Sequence, residues 1–173
     1  HHPIEYQNHI FDKLIEAGKD LGLKPFGIRA MNSLRVEKSY KLVGTELSIE
    51  YSPYESGLDR FIHPNKGDFI GRAALDKWRA KGFSNKLVTM EIHGVTDADV
   101  LGNNPIYDNG SVVGRATSGD FGFRLNKSIA LGMVKPELAK VGQKLKIDIL
   151  GKMHEASIVE ESPYDSENKL LRA

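Results

Sequence analysis

Ile106-Tyr107-Asp108-Asn109-Gly110-Ser111-Val112-Val113 sets Asn-Gly between two apolar runs. Both residues tolerate positive φ, which a two-residue hairpin turn requires, so the stretch predicts a β-hairpin. Strand signals continue on either side. Leu87-Val88-Thr89-Met90-Glu91-Ile92 reads as a strand, and residues 128–134 form another apolar run. Leu145, Ile147 and Ile149 alternate with polar residues, and Leu150-Gly151-Lys152-Met153 turns the chain into a further strand over 155–159. Five or six short strands at regular spacing predict a small closed or nearly closed antiparallel barrel.

Toward the N-terminus the period changes. Ile10, Phe11, Leu14, Ile15 and Leu21 share one face of a helix predicted over 8–21. Gly22 is placed for a left-handed cap, Pro25 blocks continuation, and Gly18 weakens the last turn. A second helix is predicted over 27–40, with Ile28, Met31, Leu34 and Tyr40 toward a core and Glu37 four residues before Lys41, a stabilising order. Residues 44–65 lack a helical period; Leu47-Ser48-Ile49 and Phe61-Ile62-His63 read as short strand pieces. A third helix is predicted over 69–81, capped by Asp68, with Leu75 and Trp78 as its apolar contacts and Gly82 at its end. The expected class is therefore α+β, with residues 1–83 helix-rich and residues 84–173 strand-rich. No Gly/Ser linker separates the halves, so they are expected to pack together.

Composition narrows the function. Across 173 residues, 24 Lys+Arg stand against 23 Asp+Glu. Hydrophobic residues make up 40% and charged residues 27%, a balance unlike that of disordered chains. The absence of cysteine excludes a disulfide framework and a thiol nucleophile. No apolar run reaches membrane-spanning length, no signal peptide is visible, and a cytoplasmic compartment is expected. Residues 84–173 carry 11 Lys+Arg and 12 Asp+Glu, so the predicted barrel lacks the basic stripe of a nucleic-acid module. His1-His2 read equally as tag residues or as native chain.

Few motifs point to chemistry by themselves. The six histidines form neither HxH nor HExxH, and no metal site is expected. Thr117-Ser118-Gly119-Asp120 is not a GxSxG elbow and reads as a hairpin turn. Gly114, Gly119 and Gly122 do not make GxGxxG and read as bulges and turns. Lys66-Gly67-Asp68 lacks phosphate-loop spacing. Arg35, Glu37 and Lys38 read first as a solvated charged face, and next as an Arg–Glu device holding the following loop.

A series of short motifs, in order along the whole chain, resembles the glycine-cleavage T-protein (aminomethyltransferase) family. Gly27-Ile28-Arg29-Ala30-Met31-Asn32-Ser33-Leu34-Arg35-Val36-Glu37-Lys38 is similar to its LRxE helix. Gly44-Thr45-Glu46-Leu47 and Pro53-Tyr54-Glu55-Ser56-Gly57-Leu58 resemble its YGxEL and PxExGL segments. Residues 66–75 resemble KGDFIGREAL, residues 114–119 GxVTSG, and residues 128–132 the start of xIALGYV. Pro163-Tyr164-Asp165 with Leu171-Arg172 resembles its tail. SLRxEK and DFIGR look most like the C-terminal folate-binding region of dimethylglycine and sarcosine dehydrogenases.

The resemblance implies a ferredoxin-like part over 1–83, entered partway, and a T-protein C-terminal barrel over 84–173. It implies tetrahydrofolate as the ligand and a one-carbon (aminomethyl or methylene) transfer. The family's catalytic Asp would lie upstream, so no catalytic residue is expected on this chain, and the chain alone is expected to be inactive. FAD would belong only to an upstream part. The partners implied are folate, the upstream part of the same polypeptide and, for a plain T-protein, a lipoyl carrier protein; neither nucleic acid nor membrane is expected. Carried over by position, the pterin-side Arg falls at Met31 and the aromatic wall at Arg60, with Phe61 beside it. A folate-carboxylate cation falls at Lys86, and Tyr164 is the nearest match to a C-terminal tyrosine. Arg35, Glu37 and Glu55 match motifs with an expected structural role. The departures at Met31 and Arg60 motivate a second reading, a non-catalytic module that kept the fold and lost folate. An RNA-associated barrel is a third.

Overall fold

The computed structural model describes residues 1–95 and 97–173. They form two compact units, His1–Met31 and Asn32–Ala173.

The first unit contains a 3-10 turn at Ile4–Tyr6, helix α1 (Gln7–Gly18) and a second 3-10 turn at Lys19–Leu21. Gly22 takes φ 72° as expected, and the Leu23 N–H closes back onto the Gly18 carbonyl at 3.1 Å. This is a Schellman termination. Gly18 has a reason beyond propensity: a Cβ there would lie 2.5 Å from the Leu23 Cβ. The expected apolar face of α1 is not a buried face. Phe11, Leu14 and Leu21 are exposed, and Ile10 and Ile15 are half-buried.

Helix α2 spans Ile28–Glu37 and ends short of Tyr40. Ser39 swings to φ 53° and its hydroxyl meets that of Thr89 at 2.7 Å, which stops the helix. The face assignment from apolar spacing is also corrected. Ile28, Met31, Leu34 and Tyr40 are exposed, whereas Ser33, Val36 and Glu37 are buried. The reason is polar matching to the barrel. Asn32 donates to the Gly119 carbonyl and Asp120, and Ser33 donates to the Phe121 carbonyl.

No strand forms in residues 44–65. Val43 and Leu47 make one isolated bridge, and Phe61 falls in a 3-10 turn, Asp59–Phe61. Helix α3 (Arg72–Lys81) starts three residues later than expected. Gly71 at φ 94° occupies its N-cap position, and Asp68 instead pairs with Arg72 at 3.3 Å. Leu75 and Trp78 are its half-buried side chains, and Gly82 ends it.

The barrel is closed and has six antiparallel strands: β1 (Lys86–Ile92), β2 (Pro105–Asp108), β3 (Ser111–Gly122), β4 (Lys127–Val134), β5 (Lys144–Ile149) and β6 (Lys152–Val159). Their order is β1-β4-β3-β2-β5-β6. Asn109 and Gly110 both hold positive φ, and Leu150 and Gly151 repeat that turn between β5 and β6. Met90, Ile106, Ile147 and Ala156 are fully buried in the barrel core. Alternation works as expected on β5, where Leu145, Ile147 and Ile149 are buried between exposed Lys144 and Lys146. On β4 every residue from Ser128 to Val134 is buried, the mark of a strand covered on both faces.

Thr117-Ser118-Gly119-Asp120 is not a turn. It lies inside β3, where the pairing with β4 shifts between Ala116 and Ser118. The bulge lets a long strand bend as the barrel closes. Gly119 is there for close approach, since a Cβ would come 2.5 Å from the Val100 carbonyl oxygen.

Candidate functional site

Helix α2, the loop after it and the bulge of β3 meet around one buried carboxylate. Glu46 is fully buried. It accepts the Leu42 N–H at 2.8 Å, the Thr45 hydroxyl at 2.7 Å and the Ser118 hydroxyl. Arg35 reaches in from α2. Its guanidinium lies 3.6 Å from Glu46 and donates to Ser118 at 2.8 Å and to the Tyr40 carbonyl at 3.0 Å. Burial alone would raise the Glu46 carboxyl. The hydrogen bonds it accepts, that from Ser118 first, outweigh it and hold the group below its ordinary value.

Arg35 is therefore not part of a solvated face. Glu37 is equally buried and does not pair with Lys41. Its carboxylate accepts the N–H groups of Arg124 (2.7 Å) and Leu125 (3.3 Å), which pins the β3–β4 turn to α2. Lys41 pairs instead with Glu161 at 2.6 Å. Glu55 forms a separate clamp. One carboxylate oxygen takes the Ser52 N–H and hydroxyl, both at 2.9 Å; the other takes the N–H groups of Ser84 and Asn85. Burial pushes this carboxyl up, and the four bonds bring it below the ordinary range. Arg35 and Glu46 thus meet, while Glu37 and Glu55 anchor other segments.

By sequence, Ser118 is weighed only as an elbow serine and read as a turn residue, and Glu46 has no role beyond its YGxEL-like segment. The signal was a lone acid in Gly44-Thr45-Glu46-Leu47 with an arginine eleven positions upstream, and nothing local joins the two. A second arginine–acid cluster forms on β3. Arg115 donates to the Tyr51 hydroxyl at 2.9 and 2.6 Å and pairs with Glu50. The Tyr51 bond is the main cause of its raised pKa.

The ligand candidates fall in three places. Lys86 opens β1, half-exposed, and donates to the Tyr54 carbonyl at 3.0 Å and to Asp59 at 3.3 Å. Asp59 begins the turn that carries Arg60 and Phe61, so this pairing ties Lys86 to the segment that holds those candidates. Arg60 covers the Phe61 ring at 4.8 Å, and that ring is otherwise exposed. Beside Lys86 opens a cavity of about 320 Å³ whose lining includes Lys41, Thr89, Val141, Ile158 and Glu161. Its size suits a small molecule; Lys41 and Lys86 face Glu160 and Glu161 in its lining, Lys41 is already paired with Glu161, and Lys86 is left as the cation for an anionic group. Tyr164 lies elsewhere: its N–H donates to the Glu37 carbonyl at 3.0 Å, and Arg124 covers its ring at 4.8 Å. Met31 belongs to the first unit, exposed on α2, and brings no charge.

Comparison with known proteins gives a consistent pattern. Residues 85–165 match the glycine cleavage T-protein C-terminal barrel domain, and residues 1–66 match the GCVT N-terminal domain. Over 162 residues the chain is 38% identical to human mitochondrial dimethylglycine dehydrogenase, covering 93% of this chain and 19% of that protein. It is 36% identical over 157 residues to the aminomethyltransferase of Desulfitobacterium hafniense, covering 91% of this chain and 42% of that one. The crystal structure of the glycine cleavage system aminomethyltransferase T from Bartonella henselae superimposes with a TM-score of 0.82 at 23% identity. That match covers 95% of this chain and 45% of the other, and it establishes the shared fold. The chain thus spans about a fifth of the dehydrogenases and just over two fifths of the aminomethyltransferases. Among the described residues no helix is long and apolar enough to cross a membrane.

Proposed function

Since the chain belongs to the glycine cleavage T-protein family, we propose that it is the C-terminal part of a tetrahydrofolate-dependent one-carbon transferase of the dimethylglycine/sarcosine dehydrogenase type. The observation that supports folate is the cavity beside Lys86 together with the exposed Phe61. Folate is an aromatic body ending in carboxylates, and a half-exposed ammonium and an exposed ring are the chemistry that holds such a molecule. Bound folate would supply a nucleophilic nitrogen that accepts the one-carbon unit. The residues of this chain would bind and orient it: Lys86 pairs with the glutamate carboxylates, Phe61 offers a ring face, and Tyr164 makes a C-terminal contact. Met31 replaces a charged contact with an apolar one. Arg60 would put a cation where the family has an aromatic wall.

Arg35, Glu37 and Glu55 act structurally in this reading and hold the loops that flank the ligand. We assign residues 1–83 to the folate-binding ferredoxin-like part and residues 84–173 to the barrel domain. We assign no catalytic residue to this chain, and we propose that it does not turn over alone. We propose a cytoplasmic compartment, although the dehydrogenase relatives are mitochondrial; cell fractionation decides it.

The experiment is a calorimetric titration of tetrahydrofolate into the chain, alone and joined to the polypeptide encoded upstream. Saturable heat that Lys86→Met weakens about tenfold supports the reading. No heat from either protein overturns it and leaves the non-catalytic module. A plain aminomethyltransferase is the other enzyme reading, favoured by its nearly equal identity to this chain. Methylene transfer dependent on a lipoyl carrier protein would select it.

A further inference from the structure

Helix α2 does not end in solvent. Its last carbonyls, which a helix leaves without internal partners, are met by the far end of the chain. Tyr164 donates its N–H to the Glu37 carbonyl at 3.0 Å, and the Ser162 hydroxyl donates to the Lys38 carbonyl at 2.7 Å. The Ser162 N–H donates to the Ser39 hydroxyl at 3.0 Å. Lys38 fastens the same segment from the side. Its ammonium donates to the Asp165 carbonyl at 2.6 Å and to the Asn168 side chain at 2.7 Å, with the Asp165 carboxylate at 3.9 Å. Its side chain is only 13% exposed, so these are its working partners.

The segment needs such a hold. Ser162, Asp165 and Asn168 all sit at positive φ (57°, 46° and 56°), and none is glycine. Asp165 and Asn168 are residue types that tolerate that region; Ser162 is not, and both its N–H and its hydroxyl are bonded to the end of α2. Tyr164 lies among these three, with its ring under the Arg124 guanidinium. Arg124 is itself placed by Glu37, which accepts its N–H. One short stretch of α2 therefore sets both halves of the Arg124–Tyr164 stack.

We propose that Lys38 is a positioning residue for Tyr164: its ammonium clasps residues 162–168 to the end of α2 and thereby fixes the Tyr164 ring against Arg124. The consequence for folate rests on the reading above, in which Tyr164 contacts the ligand. Lys38 does not touch the ligand; it acts through the tyrosine.

Amide hydrogen exchange on the 173-residue chain tests the clasp without any ligand. In Lys38→Met the Tyr164 amide should exchange about tenfold faster or more, and Lys38→Arg should restore most of the protection. Asn168→Gly, which removes one acceptor and still accommodates the positive φ at 168, should give an intermediate rate and serves if Lys38→Met does not fold. Unchanged protection in Lys38→Met, or in Asn168→Gly if Lys38→Met does not fold, overturns the clasp. Tetrahydrofolate titration of the upstream-extended protein then tests the coupling. Lys38→Met and Tyr164→Ala should each weaken binding about tenfold, and the double variant should be no worse than either single one. Losses that multiply in the double variant would show Lys38 acting independently of Tyr164 and overturn the positioning role. No binding by the unsubstituted protein sinks the folate reading alone, because the exchange rates still decide the clasp.

Discussion

Glu46 shows most directly what single residues do here. A carboxylate with no solvent exposure is tolerated because three donors and the Arg35 guanidinium meet it. Breaking such a pair from one side leaves a buried charge without compensation, so Glu46→Gln should cost about 3 kcal/mol in urea unfolding. Its titration gives a pH prediction with a definite sign. The folded carboxyls of Glu46 and Glu55 lie below their ordinary value of 4.5. The unfolded chain therefore binds protons first as pH falls, and acid favours unfolding. The stabilisation from these groups is complete above the ordinary value and is lost as pH drops through their folded values. Unfolding midpoints measured from pH 6 downward should fall less steeply for Glu46→Gln than for the parent. At this scale the sequence was only half legible. Arg35, Glu46 and Glu55 all lie in family-like motifs, but Glu46 meets Ser118 across 72 positions, a pairing that no local pattern encodes.

Elements were legible where short-range rules govern them. The Asn-Gly hairpin, the alternation on β5 and the Gly22 cap follow from turn chemistry, period and φ. The errors share a cause, which is that tertiary contacts overrode local signals. Thr117-Ser118-Gly119-Asp120 has turn composition, yet pairing with β4 carries the strand through it. The polar side of α2 is buried because β3 presents carbonyls to it, and its apolar residues are left outside. Two substitutions test these accounts. Gly119→Ala drives a Cβ against Val100, so thermal unfolding should show a loss of about 1–3 kcal/mol. Leu150 holds φ 51° while largely exposed, and Leu150→Asn would place Asn-Gly in that turn too. It should stabilise the chain by about 1 kcal/mol, since asparagine tolerates the left-handed region that leucine resists.

At the scale of the whole molecule, the two units differ in how they are held. In the first, Gly18 is the one buried residue of α1. In the second, the barrel core is continuous around six strands. Hydrogen exchange should accordingly release the α1 amides well before those of β1 and β4, whereas uniform release would contradict the division. Within the barrel the thinnest seam is β2–β5, where only Ile106–Ile147 and Tyr107–Lys146 are paired, and its amides should exchange first among the strands. The strand order also has a consequence for biosynthesis. β1 is flanked by β4 and β6, so the first barrel strand to leave the ribosome has neither neighbour available until much later. Leu87 to Ile92 must wait as an unpaired apolar edge until residues 127–134 and then 156–159 are made. A nascent chain halted before β6 would display that edge together with the open side of β5, two templates for pairing with another copy. Stop codons placed between residues 150 and 159 should therefore yield insoluble chains, whereas loss of only the last few residues should not.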